Sequence, residues 1–219
     1  MKEKEISQEE VWDSIANPWK EFRAKPIPEV QDFLKNKKGR ILDLCCGSGR
    51  NFMRISGTIY GVDFSKNMLK YAKESAKKDK INVVLKKSGA DKLPFEDNFF
   101  NSAIYIAALH CIESEKSREN SIKELYRVLK PGAEAMITVW DKNQKKFEDV
   151  PKQNFISWKV KGKGEFKRYY YLYEKQEFAD LLKSVGFNVI KIYEKGNENI
   201  SYSTRKAYSE KNHIAIVRK

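Results

Sequence analysis

Two glycines, Gly47 and Gly49, close the run Ile41-Leu-Asp-Leu-Cys-Cys-Gly-Ser-Gly, and an acid, Asp43, stands four residues before the first of them. Apolar residues leading into glycines form the pattern of a buried parallel strand running into a turn that lies close to a ligand. Glycine suits that turn because a side chain would block the approach and because the backbone there can need a positive φ. A second acid, Asp63, follows fourteen residues past Gly49, at the end of the short apolar run Thr58-Ile-Tyr-Gly-Val. A carboxylate at the tip of a second strand can accept from both hydroxyls of a ribose. Standing alone, Asp63 would read as an ordinary strand-end or helix-start acid; the two glycines favour nucleotide binding.

The elements that must position these groups alternate along the chain. Residues 5–37 read as helical, with Val11, Trp12 and Ile15 in one cluster, Val30, Phe33 and Leu34 in another, and Pro26 and Pro28 between them. Arg40–Leu44 and Thr58–Val62 read as the first two strands, with a short helix over Arg50–Ser56 between them. Ser65 caps a helix with Met68, Leu69, Ala72 and Ala76 on its apolar face. Asn82–Lys86 and Ser102–Ala107 are the third and fourth strands. A helix opening at Ser117 or Glu119, with Ile122, Leu125 and Leu129 inward, stops at Pro131-Gly132 and leads into a fifth strand, Ala135–Trp140. After a polar, lysine-rich stretch over 142–167, a helix with Phe178, Leu181, Leu182 and Val185 inward ends at Gly186. Two strands, Phe187–Tyr193 and His213–Val217, complete the pattern. Such alternation predicts an α/β fold with a mostly parallel sheet and helices on both faces.

At 219 residues the chain suits one domain: N-terminal helices over 1–38, a nucleotide-binding core over 39–141, a basic insertion over 142–168, and a C-terminal helix and strands over 169–219. No apolar run is long enough to cross a membrane, and the opening MKEKEISQEE lacks a signal-peptide core. The three cysteines, Cys45, Cys46 and Cys111, have no metal-ligand spacing, and the expected setting is a reducing cytoplasm. The net charge of +13, from 43 basic against 30 acidic residues, favours a polyanionic partner. Lys159, Lys161, Lys163, Lys167 and Arg168 interleave with Trp158, Phe166, Tyr169 and Tyr170, which suits phosphates beside stacked bases. An ordinary basic hairpin would read the same way.

Over most of its length the chain resembles the class I S-adenosylmethionine-dependent methyltransferases. Asp43-Leu-Cys-Cys-Gly-Ser-Gly49 is similar to their first motif and Val62-Asp63 to their ribose-binding acid. Leu93-Pro-Phe95 with Phe100, and Arg127-Val-Leu-Lys-Pro-Gly132, resemble the approaches to their fourth and fifth strands. The resemblance implies a Rossmann-like, seven-stranded sheet with one antiparallel strand, and S-adenosylmethionine across the strand tips. It assigns the cofactor to Asp43, Cys45, Gly47, Gly49, Asp63, Phe64, Gly89, Ala90, Asp91 and Ala107. Asp43 would orient the glycine turn and meet the methionine amine. The sequence departs from the family where Cys45 replaces a glycine, Gly89 replaces the adenine-contacting acid, and Asn101 replaces an aspartate.

A narrower resemblance rests on Arg23-Ala-Lys-Pro-Ile-Pro28, Ile106-Ala-Ala-Leu-His110, Val139-Trp140 and Arg168-Tyr-Tyr-Tyr-Leu-Tyr173. These are similar to the tRNA methyltransferases that esterify carboxymethyl groups on wobble uridines. Ile27 and Cys111 depart from that pattern. The resemblance implies a tRNA substrate, a small zinc-binding activator pairing with the edge strand near Val83, and a catalytic set of Arg23, His110 and Arg168. An ionised carboxylate acceptor needs no base but does need a cation, and the planar guanidinium fork fits it better than lysine. His110 would contact substrate or serve as a base for a neutral acceptor, or else simply bond to backbone. Trp140, Tyr169 and Lys167 are the candidate nucleotide contacts, with Trp140 as readily a core residue. A small-molecule or acyl-carrier methyltransferase on the same fold is the alternative.

Overall fold

Ser7 starts the first helix: its hydroxyl accepts from the Glu10 amide at 3.2 Å, and the Glu10 carboxylate accepts from the Ser7 amide at 2.9 Å. This reciprocal cap satisfies two amides that would otherwise lack partners. The computed structural model describes residues 6–196 and 211–219, so Glu5, the first residue of the expected helical stretch, lies outside the described residues. Helix α1 (Gln8–Phe22) buries Val11, Trp12, Ile15 and Ala16. The expected break follows, and Pro28 opens α2 (Pro28–Leu34), where its missing N–H costs nothing.

The remaining elements are β1 (Lys38–Leu44), β2 (Ser56–Asp63), α3 (Lys66–Asp79), β3 (Val83–Lys87), β4 (Phe100–Ile106), α4 (Glu115–Val128), β5 (Leu129–Trp140), β6 (Gln153–Val160), β7 (Gly164–Tyr171), α5 (Lys175–Ser184), β8 (Asn188–Gly196) and β9 (Lys211–Arg218). Seven strands form one sheet in the order β3-β2-β1-β4-β5-β9-β8. Only β9 opposes the rest, pairing antiparallel with β5 and β8. The chain therefore has the Rossmann-like, seven-stranded architecture expected from its motifs. Successive residues of a strand point to opposite faces, so β1 serves two cores. Leu42 and Leu44 pack with Tyr105, Ile122, Leu125 and Leu182 under α4 and α5, while Ile41 packs with Val30 and Leu34 of α2.

Several local readings need correction. Arg50–Ser56 forms no helix; the chain turns there so that the Phe52 ring fits beneath Gly49 in the cluster with Ile59, Ala72 and Ala76. Helix α4 starts at Glu115, capped by the Ser114 hydroxyl, and ends at Val128, so Leu129 and Pro131-Gly132 belong to β5. The lysine-rich stretch is not merely polar: β6 and β7 pair there as an antiparallel hairpin outside the main sheet. Arg127 links the two motifs that flank β4, donating to the carbonyls of Leu93 (3.1 Å) and Phe95 (2.8 Å) and to the Glu124 carboxylate (2.7 Å). Asn101 lies near the start of β1, where its carbonyl oxygen accepts from the Arg40 amide at 3.0 Å. That departure from the family falls at the opposite end of the strands from the glycine turn.

Candidate functional site

Parallel strands β1, β2 and β4 end at one edge of the sheet, and the turns that follow them leave a cleft of about 250 Å³. The first wall is the glycine turn. Cys45 and Gly47 both take left-handed conformations, with φ of 57° and 54°. A Cβ added at Gly47 would meet nothing within 4 Å, so the space beside that backbone is open to a ligand. At Gly49 (φ 79°) an added Cβ would lie 2.6 Å from the Phe52 ring and 3.2 Å from the Ala72 backbone. The two glycines thus do different work: Gly47 clears the cleft, and Gly49 lets the turn pack on α3.

Two alanine variants should separate these roles. Gly47→Ala is expected to cost about 1 kcal/mol of stability from its left-handed backbone, while abolishing measurable cofactor binding. Gly49→Ala should lower the melting temperature far more, because Phe52 cannot remain in place. Thermal melts with and without cofactor read both effects.

Asp63 ties the turn to β2. One carboxylate oxygen accepts from the Gly47 amide and the other from the Ser65 amide, each at 2.9 Å. Each oxygen retains a lone pair, and the residue lines the cleft. Burial pushes its carboxyl up to about 6, against the pull of those amides. Asp43 lies beneath the turn, 2% exposed and not on the cleft wall, and its Oδ2 has no hydrogen-bond partner. Burial pushes it up to about 8, despite nearby Arg50. An unsatisfied buried acceptor under an open glycine turn is a place for a cationic or hydroxylic group. Phe64, Gly89, Ala90, Asp91 and Ala107 also line the cleft, as does Cys45. Ala107 adopts φ 53°, held by its amide donating to the Thr138 hydroxyl at 2.8 Å.

The second wall is aromatic and comes from distant segments. Gln8 clamps α1 to β7: its amide donates to the Lys167 carbonyl (3.1 Å) and its oxygen accepts from the Tyr169 amide (3.0 Å). Trp12 and Trp19 of α1, and Arg23 just past its end, then face the cleft together with His110, Trp140 and Tyr170. Arg23 and Arg168 converge on one indole, their guanidinium carbons 5.4 and 5.0 Å from the Trp19 ring centre. Only Arg23 is on the cleft wall. Arg168 is buried behind it, ringed by Trp12, Trp19, Trp158 and Tyr170, and donates to the Tyr170 hydroxyl at 2.6 Å.

His110 is 1% exposed, and its Nδ1 accepts from the Trp140 amide at 3.3 Å. That bond assigns the remaining proton to Nε2. Burial, with Arg23 and Lys146 nearby, lowers its pKa to about 3. The side chain is therefore a neutral hydrogen-bond donor and a weak base. Trp140 stacks on Tyr170 at 4.4 Å and on Phe147 at 5.6 Å, and is 6% exposed, so it builds the wall rather than a platform for a base. Tyr169 faces away from the cleft; its hydroxyl accepts from Arg118 at 3.3 Å. Lys167 is exposed and does not line the cleft. Tyr170, one residue on, takes the position expected of Tyr169.

Sequence reasoning missed Trp12, Trp19 and Tyr170 as site residues. Trp12 and Trp19 lie seven residues apart, on one helix face, a spacing that could have marked them. Nothing local marks Gln8.

Residues 41–132 match the family described as the methyltransferase domain. Sheet order, glycine turn and paired acids define a class I S-adenosylmethionine-dependent methyltransferase, and S-adenosylmethionine is its cofactor. Within that class the chain resembles the tRNA carboxymethyluridine methyltransferases. It is 26% identical over 207 residues to the tRNA (carboxymethyluridine(34)-5-O)-methyltransferase of Schizosaccharomyces pombe, covering 83% of this chain and 88% of that one. The Arabidopsis thaliana protein of the same description is 36% identical over 137 residues, covering 61% of this chain but only 32% of that longer protein. A chain from the complex between a Haloferax volcanii methyltransferase activator and a methyltransferase superposes with a TM-score of 0.69 at 14% identity, covering 94% of this chain and 96% of that one.

Proposed function

We propose that this enzyme esterifies the carboxylate of a carboxymethyl group on the wobble uridine of tRNA. The observation that carries this reading is the pairing of Arg23 with His110, a cation beside a neutral donor, on the aromatic wall of the cleft. An ionised carboxylate is held by both and has no proton to lose. S-adenosylmethionine supplies a methyl group on a positively charged sulfur, so transfer to a carboxylate oxygen yields an ester and a neutral thioether without acid–base chemistry. The protein's own contribution is alignment and exclusion of water. Gly47 and Asp63, joined by a hydrogen bond, would hold the cofactor at the glycine turn, with Asp43 beneath them available to balance its positive charge. Trp12, Trp19 and Tyr170 strip water from the acceptor. Arg168 holds Tyr170 and Trp19 in place.

Methyl-labelled cofactor and tRNA mildly saponified to expose esterified carboxylates test the reading. Label on a carboxymethyl uridine, lost again on saponification, is the expected result. Cofactor binding without tRNA labelling would instead support the small-molecule or acyl-carrier alternative.

Cofactor binding should also release protons. Asp43, pushed by burial up to about 8, is largely protonated at neutral pH, and a cation above it favours ionisation. Affinity is expected to strengthen as pH rises from about 6 to about 8, the interval between the two acids' values. Calorimetry in buffers of different ionisation enthalpy reads the proton count directly, and Asp43→Asn should flatten the pH dependence.

The single-domain organisation, with the hairpin as an insertion serving the acceptor wall, and a cytoplasmic location belong to the same proposal. Among the described residues no helix is long and apolar enough to cross a membrane. A small zinc-binding activator is proposed to cover β3. That strand ends the sheet and pairs only with β2 among the described strands. An uncovered edge offers unpaired N–H and C=O groups to a partner. Repeating the labelling assay with and without the candidate activator tests that part: full activity of the isolated chain would remove the need for an obligate partner.

A further inference from the structure

The hairpin β6–β7 has two faces with different chemistry. Its inner face carries Trp158, Arg168 and Tyr170 against α1 and the cleft. Trp158, Phe166, Tyr169 and Tyr170 are all at least half-buried, so none of the aromatic residues noted in this segment is a free platform. Phe155 is different. It is 53% exposed and, among the described residues, the one aromatic side chain more exposed than buried. It stands opposite Tyr169 on the outer face, with their ring centres 5.6 Å apart at 73°, so Tyr169 braces its edge. Two residues along each strand lie Ser157 and Lys167, directly paired, and Lys159 follows on the same face of β6. Lys161 and Lys163 are exposed in the connecting turn. The acids nearest this face are Glu165, across from Lys159, and Glu113 and Glu115 beside Tyr169.

We infer that Phe155 is a stacking platform for a nucleotide next to the modified one, with the lysines of the hairpin meeting its phosphates. An exposed phenyl ring in an otherwise wet, basic face gains little from solvent, whereas a nucleobase can cover it irrespective of sequence. The charge of the surface selects a polyanion over an apolar peptide, and the chain's +13 balance agrees. Geometry supplies the link to catalysis. The two faces are a single strand layer apart, so a splayed-out loop can place one base in the cleft beside Tyr170 and drape its neighbour over Phe155. Single-stranded loops are the form in which RNA bases are available for stacking. This inference rests on the tRNA reading above and adds where the loop docks.

The test uses the full chain, with the candidate activator present, and saponified tRNA as substrate. Phe155→Ala is expected to raise KM for tRNA about ten-fold, as loss of one base–aromatic stack would, and Phe155→Trp to restore it. A stem-loop RNA bearing 5-iodouridine beside the modified position should crosslink under ultraviolet light to the peptide that contains residue 155. Lys159→Glu with Lys161→Glu should weaken tRNA binding and make it less salt-dependent. Cofactor affinity, measured in parallel, reports that each variant is folded. If wild-type protein methylates tRNA while Phe155→Ala keeps the wild-type KM and no crosslink forms, the inference is overturned and the tRNA reading stands. Loss of activator binding by Phe155→Ala, with KM for tRNA unchanged, would likewise overturn it in favour of a protein contact. Wild-type protein that neither binds nor methylates tRNA removes the substrate reading itself.

Discussion

Replacing Arg23 with alanine is expected to lower kcat/KM for a carboxylate acceptor by about 100-fold, roughly 3 kcal/mol, while leaving cofactor affinity unchanged. The expectation follows from placement: of the two candidate arginines, only Arg23 lines the cleft, beside neutral His110. Removing Arg23 takes from the carboxylate its guanidinium partner on the aromatic wall, and losing one partner of a desolvated pair typically costs 2–5 kcal/mol. Arg23→Lys should recover part of the loss, because it restores charge but not the two-pronged fork. Arg23 lays its guanidinium over Trp19 and Phe22 at the end of α1, and thermal melts of the variant report whether it stays folded. Single-turnover rates at saturating cofactor, paired with calorimetry, isolate the acceptor step. A wild-type rate in Arg23→Ala would remove the clamp and return the acceptor's identity to question. Arg168→Ala should differ in kind: its cage of four rings loses its centre, so stability falls along with activity.

Asp63→Ala carries the second large effect, and it acts twice. Cofactor affinity should drop by at least about 100-fold, because hydrogen bonds to a charged group contribute about 1.5–3 kcal/mol each and a ribose offers two hydroxyls. Stability should fall as well, by about 2–4 kcal/mol, since the Gly47 and Ser65 amides both lose their acceptor. The bridge across the glycine turn is the reason stability falls together with affinity. Asp63→Asn should separate the two roles. It keeps one oxygen for an amide and no longer confines a charge, so it should melt nearer the wild type while still binding cofactor poorly. Unchanged affinity in both variants would sink the assignment of the ribose site.

The pattern of motifs, from the glycine turn to Arg127-Val-Leu-Lys-Pro-Gly132, was legible because each is a local solution to a local problem. A strand that must turn beside a ligand needs Gly47 whatever surrounds it, and alternation of strand and helix allows few sheet orders. Cys45 was harder to place: only the backbone shows that it occupies a left-handed position normally suited to glycine. The short helix expected over Arg50–Ser56 failed for a tertiary reason, since burying Phe52 under Gly49 outweighs a few helical hydrogen bonds.

The acceptor wall was the least legible part. In Arg168-Tyr-Tyr-Tyr the aromatic residues occupy both faces of β7, so the sequence has no phase from which to choose Tyr169 or Tyr170. The choice is made by Gln8, 161 residues away, which clamps β7 to α1 and turns Tyr170 to the cleft. His110 likewise became a neutral donor only when the Trp140 amide, thirty residues on, met its Nδ1 and the surrounding rings excluded water. By itself, then, the sequence determined the class of fold and the placing of the glycine turn and Asp63, where spacing within one segment is enough. Tertiary structure alone decided which of the two arginines lines the cleft, which histidine nitrogen carries the proton and which ring meets solvent, because those depend on contacts between segments that sequence order keeps apart.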